Sequence, residues 1–259
     1  MNPATPGELA ELVQNSDRVP VSLLGSEGLS FATMRGGIRH DVADGVVSLL
    51  AGTTLGELNA VLARDGRCLP YLPVWPEGDL TLAELVLLGL PHAGEGAFGA
   101  WRDWILGATM VTAEGTLVKG GSRVVKSVAG YDVHKLLIGS RGALVLPAEL
   151  VFRTFPLSPA SYPQGVQRSV DKVRSIHRVR PVDVRGAQSA LGSDALVRDE
   201  TTGTLWSSRS IEDFPTFPYA WSLDPFTPTL PEGLRHVYQR AKRILDPGGK
   251  LAPGAFHRL

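Results

Sequence analysis

The sequence predicts an α+β architecture, and three observations point to it. Residues 105–121 read as two strands joined at Glu114–Gly115, a hairpin signal. Residues 120–149 set Gly120, Gly121, Gly130, Gly139 and Gly142 at irregular intervals among apolar residues and run into ALVLPAELVF. That run is rich in β-formers, which marks a buried strand. Residues 4–16, 54–62 and 231–247 carry apolar residues at helical spacing.

Taken in order, the first helix has Thr5 as N-cap, Pro6 at its first position and Glu8 three residues on, a capping-box pattern. VPVSLL (19–24) is predicted as a short strand, followed by the turn Gly25-Ser26-Glu27-Gly28. Residues 46–66 read as strand, turn and helix, with Thr53 or Thr54 as cap and Leu55, Leu58, Val61 and Leu62 facing the core. Three prolines within 68–79 exclude a helix there. In 128–139, Asp132 is placed to cap a short helix that Gly139 ends. Residues 166–176 read as a helix, PVDVRG (181–186) as a strand, and 194–210 as a hairpin around Thr202–Gly203. The final helix is basic and amphipathic, with Leu234, Val237, Tyr238, Ala241, Ile244 and Leu245 on its apolar stripe.

Composition bounds the function. The chain has 259 residues, enough for one large or two modest domains, with 43% hydrophobic and 20% charged residues. Lys plus Arg equals Asp plus Glu at 26 each. A neutral chain offers no electrostatic basis for binding nucleic acid or an anionic membrane. The single cysteine, Cys68, excludes an internal disulfide framework and a multi-cysteine metal site, and reads as a small core residue. No basic-then-apolar leader and no apolar run near about 20 residues is found, so a cytoplasmic protein without a transmembrane helix is expected. The six histidines show no paired metal-ligand spacing, and no nucleophile elbow or P-loop motif occurs.

The segments WRDWILGATMVTAEGTLVKGG (101–121), VAGYDVHKLLIGSRGAL (128–144) and LDPGGKLAPG (245–254) resemble the vanillyl-alcohol-oxidase, or p-cresol-methylhydroxylase-type, flavoprotein family. The resemblance covers about residues 45–155 well and is thin elsewhere. It implies the two-subdomain FAD-binding fold of that family with a small, shortened α+β cap. The FAD-binding domain would span 1–155, divided near 77/78; the cap 156–234; and 235–259 would return to the FAD domain.

By the same resemblance, non-covalent FAD would be contacted by Gly25, Ser26, Gly28, Thr81, Gly89, Arg102, Gly130, Tyr131, Asp132, Gly139, Ser140 and Gly142. The turn at Gly25–Gly28 also reads as an ordinary turn, and Arg102 also reads as a structural residue that fixes its loop. Several positions depart from the family. Ala83 and Glu84 replace the usual glycine pair, Glu27 puts a carboxylate in the first turn, and Ala252 replaces a common asparagine. Hydride transfer to a flavin needs a rigid ring, a substrate clamp and a base. No catalytic residue and no metal ligand is identified. The resemblance therefore implies an FAD-binding accessory subunit of a glycolate-oxidase-type complex that oxidises 2-hydroxy acids. Its partners would be a catalytic flavoprotein subunit and an iron–sulfur subunit. A scaffold that has lost FAD and a stand-alone FAD-dependent oxidoreductase are the alternatives.

Overall fold

The computed structural model describes residues 1–71, 80–122, 132–157, 173–209, 219–223, 226–229, 232–253 and 255. In chain order the strands are β1 (Arg39–Asp41), β2 (Val46–Leu50), β3 (Arg67–Cys68), β4 (Ile105–Val111), β5 (Leu117–Gly121), β6 (Leu146–Arg153), β7 (Phe155–Pro156), β8 (Ser175–Arg178), β9 (Ala195–Asp199), β10 (Thr204–Ser207), β11 (Tyr219–Leu223) and β12 (Phe226–Thr229). The helices are α1 (Pro6–Gln14), α2 (Leu55–Leu62), α3 (Leu82–Leu88), α4 (Glu95–Phe98), α5 (Trp101–Trp104), α6 (Val184–Leu191) and α7 (Glu232–Leu245).

The first sheet is antiparallel with order β1-β2-β6-β4-β5. Its central strand β6 is the apolar run foreseen in the sequence, buried on both faces. Pro147 lies in that strand and donates no ladder bond. The β4–β6 register shifts between Thr109 and Met110, beside it, which is where a strand tolerates proline. The β4–β5 hairpin closes on Gly115, whose φ is 79° and whose N–H reaches Thr112 O at 3.0 Å.

Three helix starts follow their sequence signals. Thr5 accepts from Glu8 N at 3.1 Å, although the Glu8 carboxylate bonds Ala4 N rather than Thr5 N. Thr54 with Glu57, and Thr81 with Glu84, form complete capping boxes. Gly52, between β2 and α2, is obligatory. A Cβ there would lie 1.8 Å from the Phe31 carbonyl oxygen.

Residues 19–24 do not form a strand of either sheet. Pro20 has no N–H to give a ladder. The segment instead makes single parallel bridges, Val19 to Leu251 and Val21 to Leu29. Val19 N donates to Lys250 O at 2.9 Å and Ala252 N to Val19 O at 2.8 Å. The C-terminal tail thus runs alongside the early chain.

The second sheet has order β12-β11-β8-β10-β9 and is also antiparallel. One face, through Ile176 and Trp206, joins the main core; the other, through Leu205, meets Val184, Ala187 and Leu191 of α6. Here the sequence expectation fails. PVDVRG is not a strand but the 3₁₀ turn Pro181–Asp183 followed by the start of α6, and Ser175 and Ile176, the end of the helix expected over 166–176, open the strand Ser175–Arg178. Val184, Ala187 and Leu191 stand at helical spacing, and that period outweighs the β-propensity of the two valines. Residues 173–174 are in neither helix nor strand, and 166–172 lie outside the described residues. The hairpin at Thr202–Gly203 is present as β9–β10.

Helix α7 packs through Tyr238, Ala241 and Leu245 on Ala143, Leu144 and Ala252. Val237 and Ile244, expected on that stripe, are instead 62% and 70% exposed. Cys68 is buried, as expected of a small core residue. Among the described residues, no helix is long and apolar enough to cross a membrane.

Candidate cofactor site

The first segment is the turn after Pro20. Its ends are pinned by Ser22 N to Leu29 O at 2.9 Å and Leu29 N to Pro20 O at 2.7 Å. Leu24 and Gly25 are consecutive left-handed residues, with φ of 53° and 79°. Such a left-handed step bends the chain around its own amides. Ser26 is fully engaged locally: its N–H bonds Leu23 O, its hydroxyl accepts from Leu23 N, and its carbonyl accepts from the Ser22 hydroxyl. The N–H groups of Leu24, Gly25, Glu27 and Gly28 have no acceptor among the described residues. Gly25, Ser26 and Glu27 are exposed. Gly28 must be glycine, because a Cβ would sit 2.6 Å from Pro20 O. Four free donors on one short turn suit an anion with several oxygens.

The second segment, the start of α3, is chemically closed. Leu82 N donates to Thr53 O at 2.9 Å, Ala83 N to Ala51 O at 2.7 Å and Glu84 N to Thr81 Oγ1 at 3.2 Å. Glu84, which the family resemblance marks as a lost glycine, closes the capping box: its carboxylate accepts from Thr81 N at 3.0 Å and from Thr81 Oγ1 at 2.9 Å. The helix-start signal and the lost glycine are therefore one feature. A carboxylate also occupies the end of the helix where anions are otherwise favoured.

The third segment, 139–142, closes the other end of α3. Gly139 N bonds Val86 O at 3.0 Å and Arg141 N bonds Leu87 O at 2.9 Å, so the loop takes the last carbonyls of the helix. Ser140 is fully buried, and its hydroxyl oxygen accepts from Gly142 N at 3.3 Å. Gly89 ends α3 with φ of 60°, and a Cβ on it would lie 2.8 Å from Gly139 N. Gly89 and Gly139 are thus brought together by backbone packing. Gly89→Ala is expected to cost about 1–3 kcal/mol, through overpacking and a strained left-handed alanine. A denaturant melt checks this, and an unchanged midpoint would remove the packing role. Gly142 faces Val21, with a Cβ position 2.8 Å from Val21 Cγ2, so this loop lies beside the first turn.

Asp132 does not cap the short 3₁₀ turn Val133–Leu137. Its side chain is exposed and pairs with Lys135 Nζ at 2.6 Å, which holds its carboxyl below the ordinary aspartate value. Gly130 and Tyr131 lie outside the described residues. Arg102 is exposed on α5 and makes no ion pair among the described residues, while its neighbour Asp103 accepts from Ala100 N at 2.9 Å. Of the expected contacts, the structure brings Gly142 against Val21, just before the first turn, and Gly89 against Gly139, next to Ser140. Thr81 stands at the far end of α3, about 10 Å away at 1.5 Å per residue.

The buried histidines hold structure. His92 donates or accepts at Gly99 O and Gly94 N, both at 3.1 Å, and burial pushes its pKa down to about 4. His177 bonds Ser175 Oγ at 2.8 Å beneath α6 and is likewise pushed to about 4 by burial. His134 reaches Ile105 O at 3.2 Å, and burial lowers it too. His40 pairs with Asp65 at 2.7 Å. Sequence reasoning missed one polar pair outright. Glu95, in the glycine-rich 94–99 loop, bonds Arg178 of β8, and burial raises its carboxyl against the opposing pull of that guanidinium. No local pattern signals a contact between residues so far apart in the chain. Among the described residues no group of three His, Cys, Asp or Glu side chains is placed to hold a metal ion.

The first turn and α3 fall within one further match. Residues 3–121 fit the family model described as an FAD binding domain. That match takes in 119 of the 259 residues. It is 25% identical to the glycolate oxidase subunit GlcE of Escherichia coli (strain K12), over 91% of this chain and 76% of that protein. It is 33% identical to an uncharacterized FAD-linked oxidoreductase of Mycobacterium tuberculosis (strain CDC 1551 / Oshkosh), over 60% of this chain and 37% of that protein. Among solved structures, alkyldihydroxyacetonephosphate synthase aligns with a TM-score of 0.50 and 19% identity, over 73% of this chain and 38% of that one. The chain thus spans three quarters of one relative and little more than a third of the others. The α+β, p-cresol-methylhydroxylase-type fold with its FAD binding domain is the one the sequence led to expect.

Proposed function

We propose that the chain is the FAD-binding accessory subunit of a glycolate-oxidase-type complex, and that it lacks a complete substrate site of its own. The observation that carries this reading is the turn at 22–29, whose free N–H groups at Leu24, Gly25, Glu27 and Gly28 suit a pyrophosphate. That turn lies inside the FAD binding domain match, and the chain is similar to a glycolate oxidase subunit over most of its length. FAD, when bound, supplies a two-electron acceptor. This chain's own part is to hold the phosphates at the first turn. In this reading residues 1–155 are the FAD-binding domain, 156–234 a small cap, and 235–259 the return to the first domain. The placement of the first sheet within 39–153 and the packing of α7 on Ala143 and Leu144 support it.

The missing substrate site rests on the histidines. His92, His134 and His177 are buried and hydrogen-bonded within the fold, so no imidazole among them meets solvent as a general base. The partners are a catalytic flavoprotein subunit and an iron–sulfur subunit, in the cytoplasm or at a membrane surface through those partners.

The test has two parts. The chain purified with FAD and then desalted should keep flavin absorbance near ~450 nm. The same chain alone should not oxidise glycolate or lactate at an enzyme-like rate. A colourless protein whose melting temperature ignores FAD would point to a scaffold held in the complex without cofactor, as the closed start of α3 favours. Turnover by the isolated chain would end the accessory reading.

A further inference from the structure

Helix α7 carries three arginines that have no ion-pair partner among the described residues. Most arginines of the second sheet are paired: Arg178 with Glu95, Arg180 with Asp183, Arg198 with Glu200 and Arg209 with Asp194. On α7, by contrast, Arg235, Arg240 and Arg243 make no ion pair among the described residues. The only acid within the helix is Glu232, at its start. Lys242 is already neutralised by Asp246.

Beside this face lies an open cleft of about 740 Å³ between α7, the tail and residues 17–18. Its lining includes Arg18 and Arg243, the paired Lys242 and Asp246, and the carboxylate of Asp17. Arg18 also lacks an ion pair among the described residues. Flanking the guanidinium groups, Val237 and Ile244 stand 62% and 70% exposed, one α7 face apart by seven residues.

We propose that the outer face of α7, with the adjoining cleft, docks an acidic segment of a partner polypeptide. Charge complementarity sets the sign: Arg240 and Arg243, exposed and without an ion-pair partner among the described residues, match carboxylates, bidentately where geometry allows. The aliphatic pair sets the kind of occupant. A small anion in the cleft would meet Arg18 and Arg243 but leave Val237 and Ile244 in water. A polypeptide covers both. A membrane-surface helix would turn its apolar stripe outward, whereas α7 keeps Tyr238, Ala241 and Leu245 against the body of the protein. The proposal rests on the reading of the chain as a subunit, and names the surface that makes it one.

The experiment uses the full chain and the catalytic flavoprotein subunit of the glycolate-oxidase type from the same organism, measured by calorimetric titration at low and high salt. Wild type should bind, more weakly at high salt. The double variant Arg240→Glu/Arg243→Glu should bind about 100-fold more weakly with its melting temperature unchanged, because both side chains are exposed. Val182→Asp, at another exposed aliphatic site, should bind like wild type. If the double variant also binds like wild type, the surface is wrong while the subunit reading stands. If wild type itself does not bind, the subunit reading fails and the surface falls with it. If inorganic phosphate stabilises wild type but not the double variant, and subunit binding is unaffected, the cleft is a small-anion site and the docking proposal is overturned.

Discussion

Asp246→Ala should lower the stability of the chain by about 3–5 kcal/mol, the range for removing one partner of a buried ion pair. Asp246 is 2% exposed. One carboxylate oxygen accepts from Lys250 N at 2.9 Å; the other accepts from Leu251 N at 2.7 Å and pairs with Lys242. The Lys242 ammonium in turn donates to Ala143 O at 2.8 Å and Leu251 O at 2.6 Å. Alanine leaves that ammonium without a counter-charge and two amides without acceptors. Asp246→Asn, which keeps the shape and one acceptor, should cost less. The effect has a pH signature. Burial by itself would raise the Asp246 carboxyl, but Lys242 and the two amides outweigh it, so its folded pKa lies below the ordinary aspartate value. Its contribution is therefore complete above that ordinary value and is lost as pH falls through the folded one. Urea melts of wild type and variant should differ most near neutrality and converge in acid. A difference under about 1 kcal/mol at pH 7, below the penalty for a broken buried pair, would show that the tail is not clamped this way.

Gly25→Asp should weaken FAD binding by about thirty-fold, or about 2 kcal/mol, through like-charge repulsion at a phosphate. The site suits the test. A Cβ at Gly25 meets nothing within 4 Å, and although φ is 79°, Asp and Asn are the residues that accept left-handed backbone most readily. Gly25→Asn has the same shape without the charge, and should lose far less affinity. Flavin fluorescence titration of the three proteins separates charge from backbone strain. If the aspartate variant bound FAD as well as wild type, the pyrophosphate would have to lie elsewhere, and the free amides of the turn would need another ligand.

Much of this fold was legible because the informative signals were local. The β4–β5 hairpin, the buried β6 run, and the Thr5 and Thr54 caps all follow from residues within a few positions of one another. Glu84 shows how a local signal can be read two ways. Set against a family pattern it is a lost glycine; set against Thr81 three residues earlier it is a capping partner, and the structure shows it in that second role. Asp132 went the other way, since Lys135 competes for the carboxylate that a cap would need. The candidate site was less legible, because what matters there is which amides remain free. Leu24, a left-handed leucine, carries one of them, and no composition rule selects it. Asp246 did carry a clue: an aspartate just before Pro-Gly-Gly is poised to bond amides a few residues on.

The pairing of Val19 with Leu251 joins positions about 230 residues apart. At about 5–20 residues per second on the ribosome, Val19 waits some 10–45 seconds for its partner to be made. The segment that leads into the turn at 22–29 is thus made long before the tail that secures it. Its non-local closure makes this step slow relative to the hairpins and helices around it. A nascent chain stalled before residue 246 would present the turn without the tail that braces it. A ligand of this turn then meets a braced site only after residue 251 has been made.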